Sequence, residues 1–184
     1  NMHQGWPKFA AHAWMRVPAR SSSPEGLAAL SLVPCRIETE VLGVPVVIQV
    51  ASEYPFDGSV QITVRTQRPV SFPLWLRIPR WTADAALRVG EGEACSPKPA
   101  TYFQLARTWQ GTTELSLELP LALLVETRYR GAASILYGPL VLALEIGEDW
   151  RLIGGTPPHG DWEVHPTTPW NMALEMDRKR PAQT

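Results

Sequence analysis

The chain has 184 residues, 45% of them hydrophobic, and a formal net charge of −1. That is enough for one sizeable core or two small ones, without the basic excess that nucleic acid or an anionic membrane surface would call for. No apolar run approaches the ~20 residues of a membrane span and no signal-peptide pattern opens the sequence, so a soluble protein is expected, with a cytoplasmic setting favoured; the opening asparagine reads as the edge of a piece cut from something longer.

Residues 1–16, NMHQGWPKFAAHAWMR, carry a helical pattern. Pro7 suits a first turn, and Phe9, Ala10, Ala13 and Trp14 share one side. Alone in water such a short helix is marginal, so its apolar side needs a partner domain or the body of the protein. Residues 17–25, VPARSSSPE, read as a polar connector.

From Gly26 the period changes to two. LAALSLV (27–33) reads as a strand; Ile37, Thr39 and Val41 alternate with charged residues, and Leu42-Gly43 leads into VPVVIQV as a hairpin. Asp57-Gly58 marks a turn before Val60, Ile62 and Val64. In SFPLWLRIPRW (71–81), Phe72, Leu74, Leu76 and Ile78 share one parity opposite Pro73, Trp75, Arg77 and Pro79. This is a strand with one apolar face, and its prolines predict an edge position or bulges. AALRV (85–89), TYFQLAR (101–107) and TELSLELP follow as strands, with a turn at Trp109–Gly111 between the last two. Then come LLVETRY and SILYGPLVLALEI, the latter interrupted at Gly138-Pro139. Beyond Gly147 the chain is rich in Gly, Pro and Thr, and only WNMALEMD reads as a strand. Wet-and-dry strands at this spacing predict a mainly β protein, an antiparallel, jelly-roll-like sandwich.

No constellation of reactive residues stands out. The four histidines (His3, His12, His159, His165) have no metal-ligand spacing with Cys, Asp or Glu. Glu38 and Glu40, like Glu114 and Glu118, share a strand face opposite the apolar parity, which a solvated face explains better than paired acid and base. There is no G-x-S-x-G, Ser21–Ser23 lie in the connector, and no glycine-rich phosphate loop is present. Cys35 and Cys95 lack a partner motif and read as structural thiols. The unusual resource is eight tryptophans. Trp75, Trp81 and Trp109 are the candidate carbohydrate-stacking rings, with Trp150, Trp162 and Trp170 further along; tryptophan serves equally in packing and domain interfaces.

Several strings together, NMHQGWPKFAAH, YPFDGSVQITV, FPLWLRIPRW, the stretch from Arg107 to Leu119, ILYGPLVLALE and DWEVHPTTPWNMAL, resemble the C-terminal part of glycoside hydrolase family 127, the β-L-arabinofuranosidase-like proteins. The resemblance implies a multidomain enzyme in which an (α/α)6 barrel holds the active site and β-sandwich domains follow. It implies hydrolysis of non-reducing-end β-L-arabinofuranose with retention, by a cysteine nucleophile held on zinc by a glutamate and three cysteines, beside a glutamate acid/base. The adjacent Cys-Cys pair of that motif would lie just before Asn1. Cys35 and Cys95 fall outside the motif, so no catalytic or metal role passes to them, and Asn1 or Gln4 could at most touch the pocket from behind its ligands.

The expectation is therefore a helix left from a missing barrel (1–16), a β-sandwich domain (17–146), and a loop-rich segment (147–184) that starts a second β module or wraps the first. By itself the chain should be catalytically silent and carry neither catalytic residues nor metal, zinc belonging to the parent's catalytic domain. Its partners would be that barrel and, through it, a carbohydrate, with no nucleic acid and no membrane. The alternative is an autonomous carbohydrate-binding module working through exposed tryptophans; a third is a purely structural or oligomerising sandwich.

Overall fold

The computed structural model describes residues 2–21, 24–173, 175, 177 and 181. It divides into two compact units, one running to Ala122 and taking in Gly138–Leu140, the other made of Leu123–Tyr137 and Val141 onward. The dividing point lies ahead of Gly147, where the composition changes.

The first unit opens with a 3₁₀ turn, Met2–Gln4, and helix α1, Gly5–His12. No residue of α1 is buried, and Trp6 and Phe9 lie edge to face at 6.3 Å on its surface. The helix is shorter than its pattern: Trp14–Val17 form strand β1, because Ala13 and Trp14 are drawn into the core of the sheet. Then follow β2 (Gly26–Ala29), β3 (Cys35–Val41), β4 (Val44–Ser52), β5 (Ser59–Ile78), β6 (Ala86–Val89) and β7 (Thr101–Glu118). They make one seven-stranded sheet whose main path is β1-β2-β5-β4-β3, with β7 on β5 and β6 on β7.

Two long strands organise this sheet. β5 and β7 pair from Ser59↔Glu118 to Ile78↔Thr101, broken once, where the register shifts between Thr66 and Val70. Pro69 lies inside that bulge, where no ladder bond is lost. On one side of the bulge β5 carries β4, through Val46↔Thr66 to Ser52↔Val60; on the other it carries β2, through Leu27↔Leu74 to Ala29↔Leu76. The β2–β5 ladder is parallel, so the sheet is mixed rather than wholly antiparallel. Ile48, Ile62, Val64, Leu115 and Leu117 from one arm join Phe72, Leu74, Leu76 and Ile78 from the other in a single hydrophobic cluster. The sheet therefore folds over at the bulge into a sandwich-like β fold. Each fully buried aliphatic side chain contributes about 1.5–3 kcal/mol, which is why the apolar parity of each strand, even on β4 and β5 and odd on β7, decides the register.

SFPLWLRIPRW thus forms the interior end of β5 rather than an edge strand. Pro73 precedes the first β2 pair and Pro79 follows the strand's last residue. Arg16 of β1 reaches β3 across the fold, donating from Nη2 to the Glu40 carbonyl at 2.8 Å and the Thr39 hydroxyl at 3.1 Å. The two ends of the strand path are clipped together by one guanidinium. The β3–β4 connection is a two-residue hairpin with Leu42 and Gly43 both at positive φ, 52° and 72°, the mirror-image turn that matches strand twist.

In the remaining chain β8 (Leu123–Thr127), β9 (Ala133–Tyr137) and β10 (Leu140–Leu142) form a three-stranded sheet, and β11 (Glu148–Gly154) pairs antiparallel with β12 (Asp161–Pro166). Residues 148–166 are therefore a hairpin where the sequence reads as loop. In WNMALEMD, residues 170–173 are not in a strand, while 174 and 176 lie outside the described residues, as does Asn1. Among the described residues no helix is long and apolar enough to cross a membrane.

Candidate functional site

The side chains with chemical potential are dispersed. His12 meets the Lys8 carbonyl through Nδ1 at 2.6 Å, and His165 pairs with Glu163 at 3.0 Å. Glu38 is held by Arg36 at 2.7 Å, and Glu118 accepts hydrogen bonds from the hydroxyls of Ser59 and Ser116 at 3.0 and 3.3 Å. Glu40 and Glu114 are exposed on strands. Cys35 starts β3 half-buried and Cys95 is exposed. Burial raises the Cys35 thiol above its ordinary value, with the neighbouring Trp14 indole pulling weakly the other way, so the thiol form is favoured over the nucleophilic thiolate. Among the described residues no three of His, Cys, Asp and Glu come together to hold a metal ion. The donor set that zinc chemistry requires is not built from them.

The three candidate tryptophans have different fates. Trp109 is fully buried, its indole N–H donating to the Phe72 carbonyl at 3.0 Å and its ring 5.5 Å from that of Phe72. Arg107 lies over it at 5.3 Å. The ring is core and offers no face to a sugar, which corrects its candidacy: the turn expected at Trp109–Gly111 is instead part of continuous β7, and the bulge turns Trp109 inward. Trp81 is half-buried and stacked on Tyr54, centroids 6.5 Å apart and planes 24° apart, so its partner ring covers one face.

Trp75 alone looks onto open space. It sits at the centre of an apolar groove of about 570 Å³ on the outer side of the β1-β2-β5-β7 arm. The register makes the groove: Met15↔Ala28 and Ala28↔Trp75 place three residues in one row, and Arg77↔Tyr102 forms the next. Met15 and Tyr102 remain 40% and 51% exposed, and Arg20 lines one rim. Sequence reading found Trp75 but missed Met15, Tyr102 and Arg20, because only the pairing of β1 with β2 and of β2 and β7 with β5, strands far apart in sequence, brings them together; parity did place Trp75 and Arg77 on one face.

A mixed sheet folded over one core, with an apolar groove on its outer face, defines a β domain of the sandwich-like class. The family description "Beta-L-arabinofuranosidase, GH127 middle domain" matches residues 27–121, and the chain belongs to that family. Its fold is shared with a solved GH127 β-L-arabinofuranosidase from Geobacillus stearothermophilus T6, at a TM-score of 0.60 and 22% identity over 90% of this chain and 30% of the other. A second solved glycoside hydrolase gives 0.57 and 20% over 83% and 30%. A GH127 β-arabinofuranosidase gives 0.55 and 14% over 76% and 28%. The chain thus spans about 30% of the length of the solved structures it matches. No curated protein matches it.

Proposed function

We propose that this chain is a non-catalytic region of a glycoside hydrolase of the β-L-arabinofuranosidase type, supporting a catalytic barrel carried by the same polypeptide. The observation that carries the reading is the middle-domain match over residues 27–121, which falls on the folded-over sheet from β2 to β7. Two features support it. The described carboxylates and thiols lie apart on strands and turns, with no three of His, Cys, Asp and Glu together, and α1 has no buried residue and presents Trp6 and Phe9 on its surface, as the last helix of a larger helical body would.

In this reading α1 belongs with the barrel, residues after the first unit begin a second β module, and the zinc with its cysteine ligands sits in the barrel. The substrate would be a non-reducing-end arabinofuranoside. No chemical step runs through the residues described above; their work is to hold the barrel's end and keep water from its apolar surface. The test is the full-length polypeptide offered aryl β-L-arabinofuranosides with and without a zinc chelator. Release of the aryl group that the chelator abolishes is the expected result. A full-length protein that is inert on every arabinofuranoside, or indifferent to the chelator, contradicts the reading.

A further inference from the structure

The groove around Trp75 takes no part in the proposed function, and its chemistry is lopsided. Its floor is aliphatic, aromatic and sulfur-bearing: Met15, Val17, Ala28, Leu30 and Trp75. Its one charged lining residue is Arg20, at the rim, with Arg77 nearby on the same strand face beside Tyr102. Neither guanidinium has an ion-pair or hydrogen-bond partner among the described residues. No acidic side chain lines the groove.

We propose that this groove seats an acidic segment of the parent polypeptide that carries a large apolar anchor, the anchor lying on Trp75 and Met15 and the carboxylates meeting Arg20 and Arg77. The proposal rests on the reading of the chain as one region of a longer hydrolase. Three physical points select this occupant. A sugar laid on an aliphatic floor would bury hydroxyls with no partners, each at a cost comparable to a lost hydrogen bond, whereas methionine adapts to an apolar side chain of almost any shape. A second copy docked about a two-fold axis would set the patch against itself and bring like arginines face to face. A segment with carboxylates supplies the missing charge, and bidentate guanidinium–carboxylate pairs fix its position at the rim.

The residues of the groove are those most readily oxidised by hydroxyl radicals, so footprinting of the full-length protein reads the proposal directly. Met15 and Tyr102 should be protected, although they are 40% and 51% exposed in this chain, while Phe56, 73% exposed on the turn before β5, is oxidised freely and serves as the reference. Reversing the charge of Arg20 at the rim and of Arg77 beside Tyr102, Arg20→Glu with Arg77→Glu, should raise oxidation of Met15 and Tyr102 about tenfold, the factor that a modest loss of docking energy gives. Arg20→Lys with Arg77→Lys should keep most of the protection, and core Phe72 and Trp109, 2% and 0% exposed, staying unoxidised shows that the fold survives. Several outcomes overturn the proposal: Met15 and Tyr102 oxidised freely in the wild type; protection indifferent to charge reversal; protection that appears only with added oligosaccharide; or protection that follows a dimer seen by sedimentation. A full-length protein that cleaves arabinofuranosides in a chelator-sensitive way yet leaves the groove reactive sinks this inference alone, and an inert one with a protected groove sinks only the functional reading.

Discussion

Trp109 shows how one residue can be misjudged from its surroundings in sequence. Next to Gln110-Gly111 it reads as a turn aromatic; in the structure it fills the core and its N–H satisfies the Phe72 carbonyl at 3.0 Å. Trp109→Ala should cost about 3–5 kcal/mol, the range for emptying an aromatic site. Trp109→Phe should cost about 1–3 kcal/mol, since it chiefly leaves a buried carbonyl unpaired; urea unfolding of the two variants separates packing from hydrogen bonding. The cysteines differ in the same local way. With its thiol raised by burial, Cys35 should react with a disulfide reagent far more slowly than exposed Cys95 at pH 8, and catch up only as the pH climbs past the ordinary thiol range. The sign carries over to stability: the unfolded chain ionises Cys35 first, so its contribution is whole below the ordinary thiol pKa and erodes as the pH rises above it. Equal rates at pH 8 would contradict the burial.

At the scale of elements, period two was the readable signal. It located β3, β4 and both halves of β5 and β7, and the Leu42-Gly43 hairpin, because each of these buries one parity and wets the other. What it could not show was that residues 59–78 form one strand and 101–118 another, since a bulge looks like a turn when its partner strand is unknown. The parallel pairing of β2 with β5 was equally hidden, resting on three residue pairs far apart in sequence. The turn glycines test the close contacts directly. A Cβ on Gly58 would lie 2.0 Å from the Leu119 carbonyl oxygen, whereas one on Gly43 meets nothing within 4 Å. Gly58→Ala should therefore cost about 1–3 kcal/mol or more from backbone displacement. Gly43→Ala should cost about 1–2 kcal/mol, from its left-handed φ alone. Thermal unfolding of the pair checks the order, and a Gly58→Ala protein as stable as the parent would argue against the β5–β7 end as described.

For the whole molecule, the decisive fact is where the core lies. Among the described residues every buried hydrophobic side chain falls between Ala13 and Leu119, although apolar runs such as ILY (135–137) and LVLAL (140–144) follow Leu123. Trp150, Leu152, Trp162 and Val164 stay exposed on the β11–β12 hairpin, and a two-stranded ribbon is marginal without support. A chain ending at Ala122 should consequently keep the cooperative unfolding transition of the first unit with only a small loss in midpoint. Loss of that transition would show that the later strands are part of its core.

The family was legible in six short strings, whereas the groove was not, since its residues come from four strands. The account as a whole stands on the claim that these 184 residues scaffold a reaction they do not perform. Incubating the purified chain alone with an aryl β-L-arabinofuranoside, zinc supplied, tests that claim most directly. The account predicts release no faster than in buffer, while turnover by the isolated chain would contradict it.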